Sequence, residues 1–193
     1  MIKIVFATNN PNKLKEVQAQ LPKGIQLMSL KDIGCTEDIP ETQNTIEGNA
    51  LQKANYIKSK YNSDCFADDT GLEVDALDGA PGVYSARYAG PEKKAKNNIK
   101  KLLNSLKNEP NRAAQFKTVI ALHYKGKLVQ FNGICKGEIT HTPKGSGGFG
   151  YDPIFKPLGK EQTFAELTLD EKNAIGHRGI AVAQLIEFFK QNQ

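Results

Sequence analysis

The stretch DCFADDTGLEV, residues 64–74, decides how this chain is read. A short apolar rise, Cys65-Phe66-Ala67, leads to two adjacent aspartates, and Gly71 follows two residues later. Neighbouring carboxylates repel, and each seeks water. A divalent cation, a catalytic proton transfer or a solvated turn could each account for the pair. Successive strand residues face opposite sides, so Asp68 and Asp69 can share one face only where a strand ends. CFA and LEV therefore read as two short strand pieces. Thr70 and Gly71 read as a small polar turn that lets both carboxylates reach one place.

The pattern on either side is that of an α/β chain. KIVFAT (3–8) is β-branched and aromatic, as a buried strand requires. In NNPNKLKEVQAQLP (9–22), Asn10 can cap a helix with Pro11 at its first position, and Leu14, Val17 and Leu21 keep helical spacing. IQLMSL (25–30) reads as a second strand and residues 31–44 as loop. TIEGNALQKANYIKSKY (45–61) sets Ile46, Ala50, Ala54, Ile57 and Tyr61 on one helical stripe. DGAPG (78–82) is turn chemistry. PEKKAKNNIKKLLNSLK (91–107) predicts a helix opening at its proline. AAQFKTVIALHY and KLVQFNGICKGEI, on either side of Lys125–Gly126, predict a long hairpin. After a glycine-rich loop and PIF (153–155), one helix ends the chain, packed through Val182, Leu185, Ile186 and Phe189. Helices and strands alternate early and a hairpin comes later, which predicts an α/β domain with a mixed sheet.

Composition narrows the classes. At 193 residues the chain suits one good-sized domain or two small lobes sharing a core. With 39% hydrophobic and 24% charged residues it is globular rather than disordered. No apolar run approaches the roughly 20 residues that cross a bilayer, and MIKIVFATNN reads as a first strand, not a signal peptide. Three scattered cysteines, Cys35, Cys65 and Cys135, form no CxxC pair, which argues against a zinc site or disulfide framework and for a cytoplasmic setting. A formal charge of +5 suits an anionic small molecule or weak nucleic-acid contact.

Four motifs could carry chemistry. In TNNPNK (8–13), Lys13 and Lys15 sit in the first helical turn, where a cation costs roughly 0.3–1 kcal/mol. An anion at that N-terminus would remove the cost, so phosphate is one reading and a capped helix with solvated lysines the other. For the carboxylates, Mg²⁺ takes hard oxygen ligands with phosphates and waters completing its shell, and Glu41 in IPETQN is a third acid within reach; an Asp/Gly turn is the plain alternative. GSGGFG (145–150) matches the dinucleotide fingerprint literally, but YDPIFKP does not open a helix after it, so a Rossmann site is excluded. The loop instead delivers Phe149 and Tyr151, either for base stacking or for the core, with Asp152 able to accept from a base edge. In EKNAIGHRG (171–179), Lys172, His177 and Arg178 cluster before a helix and suit a phosphate or keto oxygen as well as a solvated loop. No G-x-x-x-x-G-K-[ST] or G-x-S-x-G is present, which argues against a P-loop enzyme and a serine hydrolase.

Taken in order, TNNPNK, ETQNTIEGNALQKA, FADDTGLEVDALDGAPGVYSARYAG, GFGYDPIF and EKNAIGHRG closely resemble the inosine triphosphate pyrophosphatase family, whose bacterial members are dITP/XTP pyrophosphatases. The resemblance spans essentially the whole chain. It implies a single domain over 1–193 made of two lobes, with a long mixed sheet flanked by helices and a central cleft. It implies a homodimer that hydrolyses ITP, dITP and XTP to the monophosphate and pyrophosphate with Mg²⁺, with no nucleic-acid or membrane partner. By resemblance, Thr8, Asn9, Asn10, Pro11, Asn12 and Lys13 cradle the triphosphate, with Lys53 reaching the phosphates. Asp69 matches the proton acceptor and metal ligand, Glu41 the other acidic metal position, and Asp68 helps hold the metal shell. Thr70 matches a substrate contact. Phe149, Gly150, Tyr151 and Asp152 match the base-side loop, and Lys172, His177 and Arg178 the closing contacts, Arg178 serving the 6-keto group. Asn9 replaces a common glycine and Gly176 a common serine. Two rivals remain: a septum-inhibitor-type pyrophosphatase of modified pyrimidine nucleotides, and a basic nucleic-acid-binding module, which leaves the aspartates unexplained.

Overall fold

In the computed structural model, residues 1–192 are described. The first apolar run forms β1 (Ile2–Phe6), with Ile4, Val5 and Phe6 buried. The side chain of Asn10 then accepts from the backbone N–H groups of Asn12 at 2.9 Å and Lys13 at 3.4 Å. Pro11 opens α1 (Pro11–Gln18) where its missing N–H costs nothing. β2 (Ile25–Met28) pairs in parallel with β1, Ile2 opposite Ile25. A single 3₁₀ turn, Lys31–Ile33, interrupts the expected loop. The hydroxyl of Thr45 accepts from the Gly48 N–H and caps α2 (Ile46–Tyr61), which buries Ile46, Ala50, Ala54 and Ile57.

The double aspartate does not end a strand. β3 (Cys65–Val74) runs unbroken through Asp68, Asp69 and Gly71, starting beside β1 in parallel register with Cys65 opposite Val5. The polar turn expected at Thr70–Gly71 is absent, and Gly71 is buried within the strand. Phe66, Leu72 and Val74 are fully buried, which favours continued pairing over a bend. Strand alternation then turns the two carboxylates to opposite faces.

β4 (Pro81–Gly82) pairs antiparallel with the end of β3. α3 (Ala95–Ser105) starts four residues after the proline expected to open it. Lys93 has φ +53°, a left-handed conformation no helix can contain. β5 (Ala113–Tyr124) and β6 (Lys127–Ile139) are joined by Lys125 and Gly126, at φ +48° and +78°, the signature of a two-residue hairpin turn. β7 (Phe155–Pro157) pairs antiparallel with β6. The expected single C-terminal helix is two, α4 (Leu169–Ile175) and α5 (His177–Gln191). Gly176 between them is extended, at ψ 153°, and breaks the helical path. Among the described residues the strands form a seven-stranded sheet of order β2-β1-β3-β5-β6-β7, with β4 on β3. Parallel and antiparallel pairs coexist, so the fold is α/β with a mixed sheet.

The chain divides into two compact units. The first takes Met1–Asp69, Thr118–Gly133 and the segment from Arg178 onward. Its core joins Ile4, Phe6, Phe66, Leu122, Leu185 and Phe189, with the Phe6 and Phe66 rings stacked at 4.5 Å. The second takes Thr70–Lys117 and Ile134–His177, around Leu72, Leu102, Phe116, Ile154, Phe155 and Phe164.

Candidate active site

In the first unit, Asp69 stands at the centre of a small polar cluster. Lys53, one turn beyond Asn49 on α2, is buried, and its ammonium lies 4.0 Å from Asp69 Oδ1 and hydrogen-bonds Glu41 Oε1. The Asn49 amide donates to Asp69 Oδ2 at 3.2 Å. Two carboxylates from distant segments thus converge on one cation. Burial lifts the Asp69 carboxyl above its ordinary value, against the opposing pull of Lys53 and Lys13. For Lys53, burial works against the charge, but Glu41, Asp69 and Asp68 outweigh it and raise its pKa.

Asp68 is surrounded differently. Its Oδ1 accepts from Lys13 Nζ at 2.8 Å and its Oδ2 from Arg178 Nε at 3.1 Å. Arg178 Nη1 in turn donates to Glu16 on α1. All four side chains are largely or wholly buried, giving two cations and two carboxylates in one chain of contacts. Burial alone would push the Asp68 carboxyl up, but Lys13, Arg178 and Lys53 together hold it well below the usual carboxylate range. The anion that relieves Lys13 in the first turn of α1 is therefore the protein's own Asp68. The N–H groups expected to cradle phosphate there are partly taken by the Asn10 cap. Thr8 is buried and its hydroxyl accepts from the Asn10 N–H at 3.1 Å, while Asn9, Pro11 and Asn12 are exposed.

In the second unit, Asp152 organises the glycine-rich loop. Its Oδ2 accepts from the Phe149 N–H at 2.7 Å and from Lys172 Nζ at 2.6 Å. A Cβ on Gly148 would stand 2.1 Å from that oxygen, so only glycine permits the loop to close on Asp152. The Lys172 ammonium lies 4.8 Å from the Phe149 ring centroid, a cation held against an aromatic face. Phe149 and Gly150 are half-buried. Tyr151 is no exposed stacking platform: it is buried, and its hydroxyl donates to the Ser85 carbonyl at 2.9 Å. The His177 ring stacks on Phe116 at 4.5 Å, and Thr70 is half-buried. At Gly176 a Cβ would meet the Lys172 carbonyl at 2.6 Å, the same oxygen that accepts the Gly176 N–H, so the stop between α4 and α5 is built on bare backbone.

Glu41 and Asp69 supply hard oxygen donors around one positive charge, the donor chemistry Mg²⁺ takes. Among the described residues no three His, Cys, Asp or Glu side chains gather as a metal cage. The unbroken strand turns Asp68 toward Lys13 and Arg178 rather than toward Asp69. Two carboxylates still fit a cation that keeps several waters and takes substrate phosphates as ligands. Two members of the cluster belong to no functional motif in the sequence. Glu16 follows Lys13 by one helical turn, beside the apolar Val17, where a charged side chain is out of place. Asn49 is a polar residue next to the buried stripe of α2, one turn before Lys53.

A profile of the Ham1 family matches residues 4–188. A Flavobacterium johnsoniae protein named dITP/XTP pyrophosphatase is 63% identical over 186 residues, covering 96% of this chain and 97% of its own. The structure of the Staphylococcus aureus Ham1 protein matches with TM-score 0.90 at 38% identity, over 99% of this chain and 100% of that one. A HAM1 protein from Coxiella burnetii matches with TM-score 0.91 at 38% identity, over 99% and 100%.

Proposed function

The chain belongs to the Ham1 family, and from that premise we propose that it hydrolyses nonstandard purine nucleoside triphosphates, ITP, dITP and XTP, to the monophosphate and pyrophosphate. The observation that carries this reading is the convergence of Glu41 and Asp69 on the Lys53 ammonium, beside a second lysine, Lys13, already held in place by Asp68. A triphosphate tail needs this mixture of cations to neutralise it and carboxylates to hold a metal.

Glu41 and Asp69 are the residues that would hold Mg²⁺. Bound there, the ion would offset charge on the phosphate oxygens and on the departing pyrophosphate. Asp69 orients the attacking water and takes its proton at the oxygen facing away from Asn49. Lys13 and Lys53 take the phosphates, and their buried stems limit the entropy lost in doing so. Asp68 serves this chemistry indirectly, by fixing Lys13 and Arg178.

For the base, a 6-keto oxygen requires a donor, whereas adenine presents an amino group and leaves that donor unpaired. Phe149 offers a ring and Lys172 a cation beside it. Arg178, implied for the keto group by resemblance, is engaged through Nε and Nη1 with Asp68 and Glu16, so selection by it would disturb a buried ion pair. The working form on this reading is a cytoplasmic homodimer, which sedimentation and cell fractionation test. Pyrophosphate release across ITP, dITP, XTP, ATP, GTP, UTP and dTTP, with Mg²⁺ or with chelator, tests the substrate class. Preference for the first three, lost with chelator, is expected. A preference for pyrimidine nucleotides would overturn it.

A further inference from the structure

The segment carrying Glu41 has no helix or strand between the 3₁₀ turn at Lys31–Ile33 and α2, yet it is fastened to α2 at three points. Thr42 N–H donates to Gln52 Oε1 at 2.9 Å, and Gln52 Nε2 donates back to the Thr42 hydroxyl at 2.8 Å. Gln43 N–H donates to Asn49 Oδ1 at 2.9 Å. The close approach depends on Gly48: a Cβ there would stand 2.8 Å from Gln43 Cβ and 2.9 Å from the Thr45 hydroxyl.

Asn49 is the hinge of this arrangement. Its side chain is buried, at 1% exposure, and both ends of its amide are used. A backbone N–H can only donate, so the amide oxygen must face Gln43. The amide nitrogen then faces Asp69 Oδ2, which accepts at 3.2 Å. One rigid planar group thereby ties the main chain two residues beyond Glu41 to the carboxylate of Asp69.

We propose that Asn49 is the positioning residue of this site: it sets the spacing between Glu41 and Asp69 and fixes which Asp69 oxygen is turned toward the metal and water. This rests on the reading of Glu41 and Asp69 as the Mg²⁺-binding pair. Outer partners that orient metal ligands typically change affinity or rate by about 10–100-fold when removed. Asn49→Ala should keep the circular dichroism spectrum of the parent, because alanine suits the first turn of a helix. Three readouts then separate positioning from mere structure. Amide exchange at Gln43 should accelerate. Calorimetric Mg²⁺ affinity, measured with a non-hydrolysable ITP analogue, should fall by about 10–100-fold. The turnover number should fall in the same range while the nucleotide KM changes little.

A folded Asn49→Ala protein with faster exchange at Gln43 but unaltered Mg²⁺ affinity and turnover would overturn the proposal. Should Asn49→Ala fail to fold, Asn49→Leu keeps the volume and adds no charge beside Asp69 while removing both amide contacts. Exchange at Gln43 should quicken and turnover still fall, and full turnover would overturn the proposal. Glu41→Gln and Asp69→Asn, titrated alongside, separate the two layers. If neither weakens Mg²⁺ binding, the metal assignment itself fails and the proposal falls with it. If both weaken it and Asn49→Ala does not, only the role of Asn49 falls.

Discussion

Replacing Asp68 by asparagine should unfold this protein far more readily than the same change one residue later. Asp68 is 1% exposed and accepts from Lys13 at 2.8 Å and from Arg178 at 3.1 Å. Without its charge, Arg178 keeps only its contact with Glu16 and Lys13 loses its ion pair. Removing one partner of a buried ion pair costs about 3–5 kcal/mol. In a chain of this length each kcal/mol lowers the thermal midpoint by roughly 2–4 °C, so the expected loss is about 6–20 °C. Asp69→Asn should change stability by less than about 1 kcal/mol, since burial already disfavours that charge and its pKa lies above normal. Urea unfolding measures both, with the midpoint dropping at constant slope for Asp68→Asn. Acid adds a second signature. The folded Asp68 pKa lies below its unfolded value of about 3.9, so its stabilisation is complete above that pH and drains as pH falls toward the folded value. The gap between wild type and Asp68→Asn should therefore close on acidification below about pH 4. Equal stabilities at neutral pH, or a larger loss for Asp69→Asn, would refute the division of roles between the two aspartates.

Two further outcomes follow from buried charge and buried thiols. Lys53→Met leaves Glu41 and Asp69 facing each other with no ammonium between them. Mg²⁺ should then raise the thermal midpoint of the variant more than that of wild type, while pyrophosphate release falls; an equal or smaller Mg²⁺ response would contradict the shared-cation picture. Burial pushes the Cys65 thiol up to about 12 and the Cys135 thiol up to about 11. Iodoacetamide at neutral pH should leave both unmodified in the folded protein and alkylate both in urea, as read by peptide mass spectrometry; rapid alkylation of either in the native state would refute it.

Elements whose signals are local were legible in the sequence. The Asn10–Pro11 cap, the stripe of α2 and the Lys125–Gly126 turn each rest on a few neighbouring residues, and each formed where the spacing placed it. The path through Asp68 and Asp69 was not legible, because it depends on partners far away in the chain. Lys13 and Arg178 lie 55 and 110 residues from Asp68, and only the fold shows that they neutralise it. Without them, a bend toward water was the cheaper reading of two adjacent carboxylates. The same blindness hid Glu16, whose partner Arg178 is 162 residues away. Tyr151 was undecided for another reason: an aromatic residue in a glycine-rich loop carries no mark of whether it faces a ligand or the core, and here the Ser85 carbonyl claims its hydroxyl. The break at Gly176 was open to view as a glycine inside a helical pattern, but its extended conformation was not.

For a reaction that yields the monophosphate and pyrophosphate, we propose that the water oriented by Asp69 attacks the α-phosphorus. Hydrolysis of ITP with Mg²⁺ in ¹⁸O-labelled water, followed by ³¹P NMR, reads this directly. The label should appear in the inosine monophosphate, with pyrophosphate unlabelled, and Asp69→Asn should give neither product. Label in pyrophosphate, release of orthophosphate from intact enzyme, or undiminished turnover by Asp69→Asn would contradict the account.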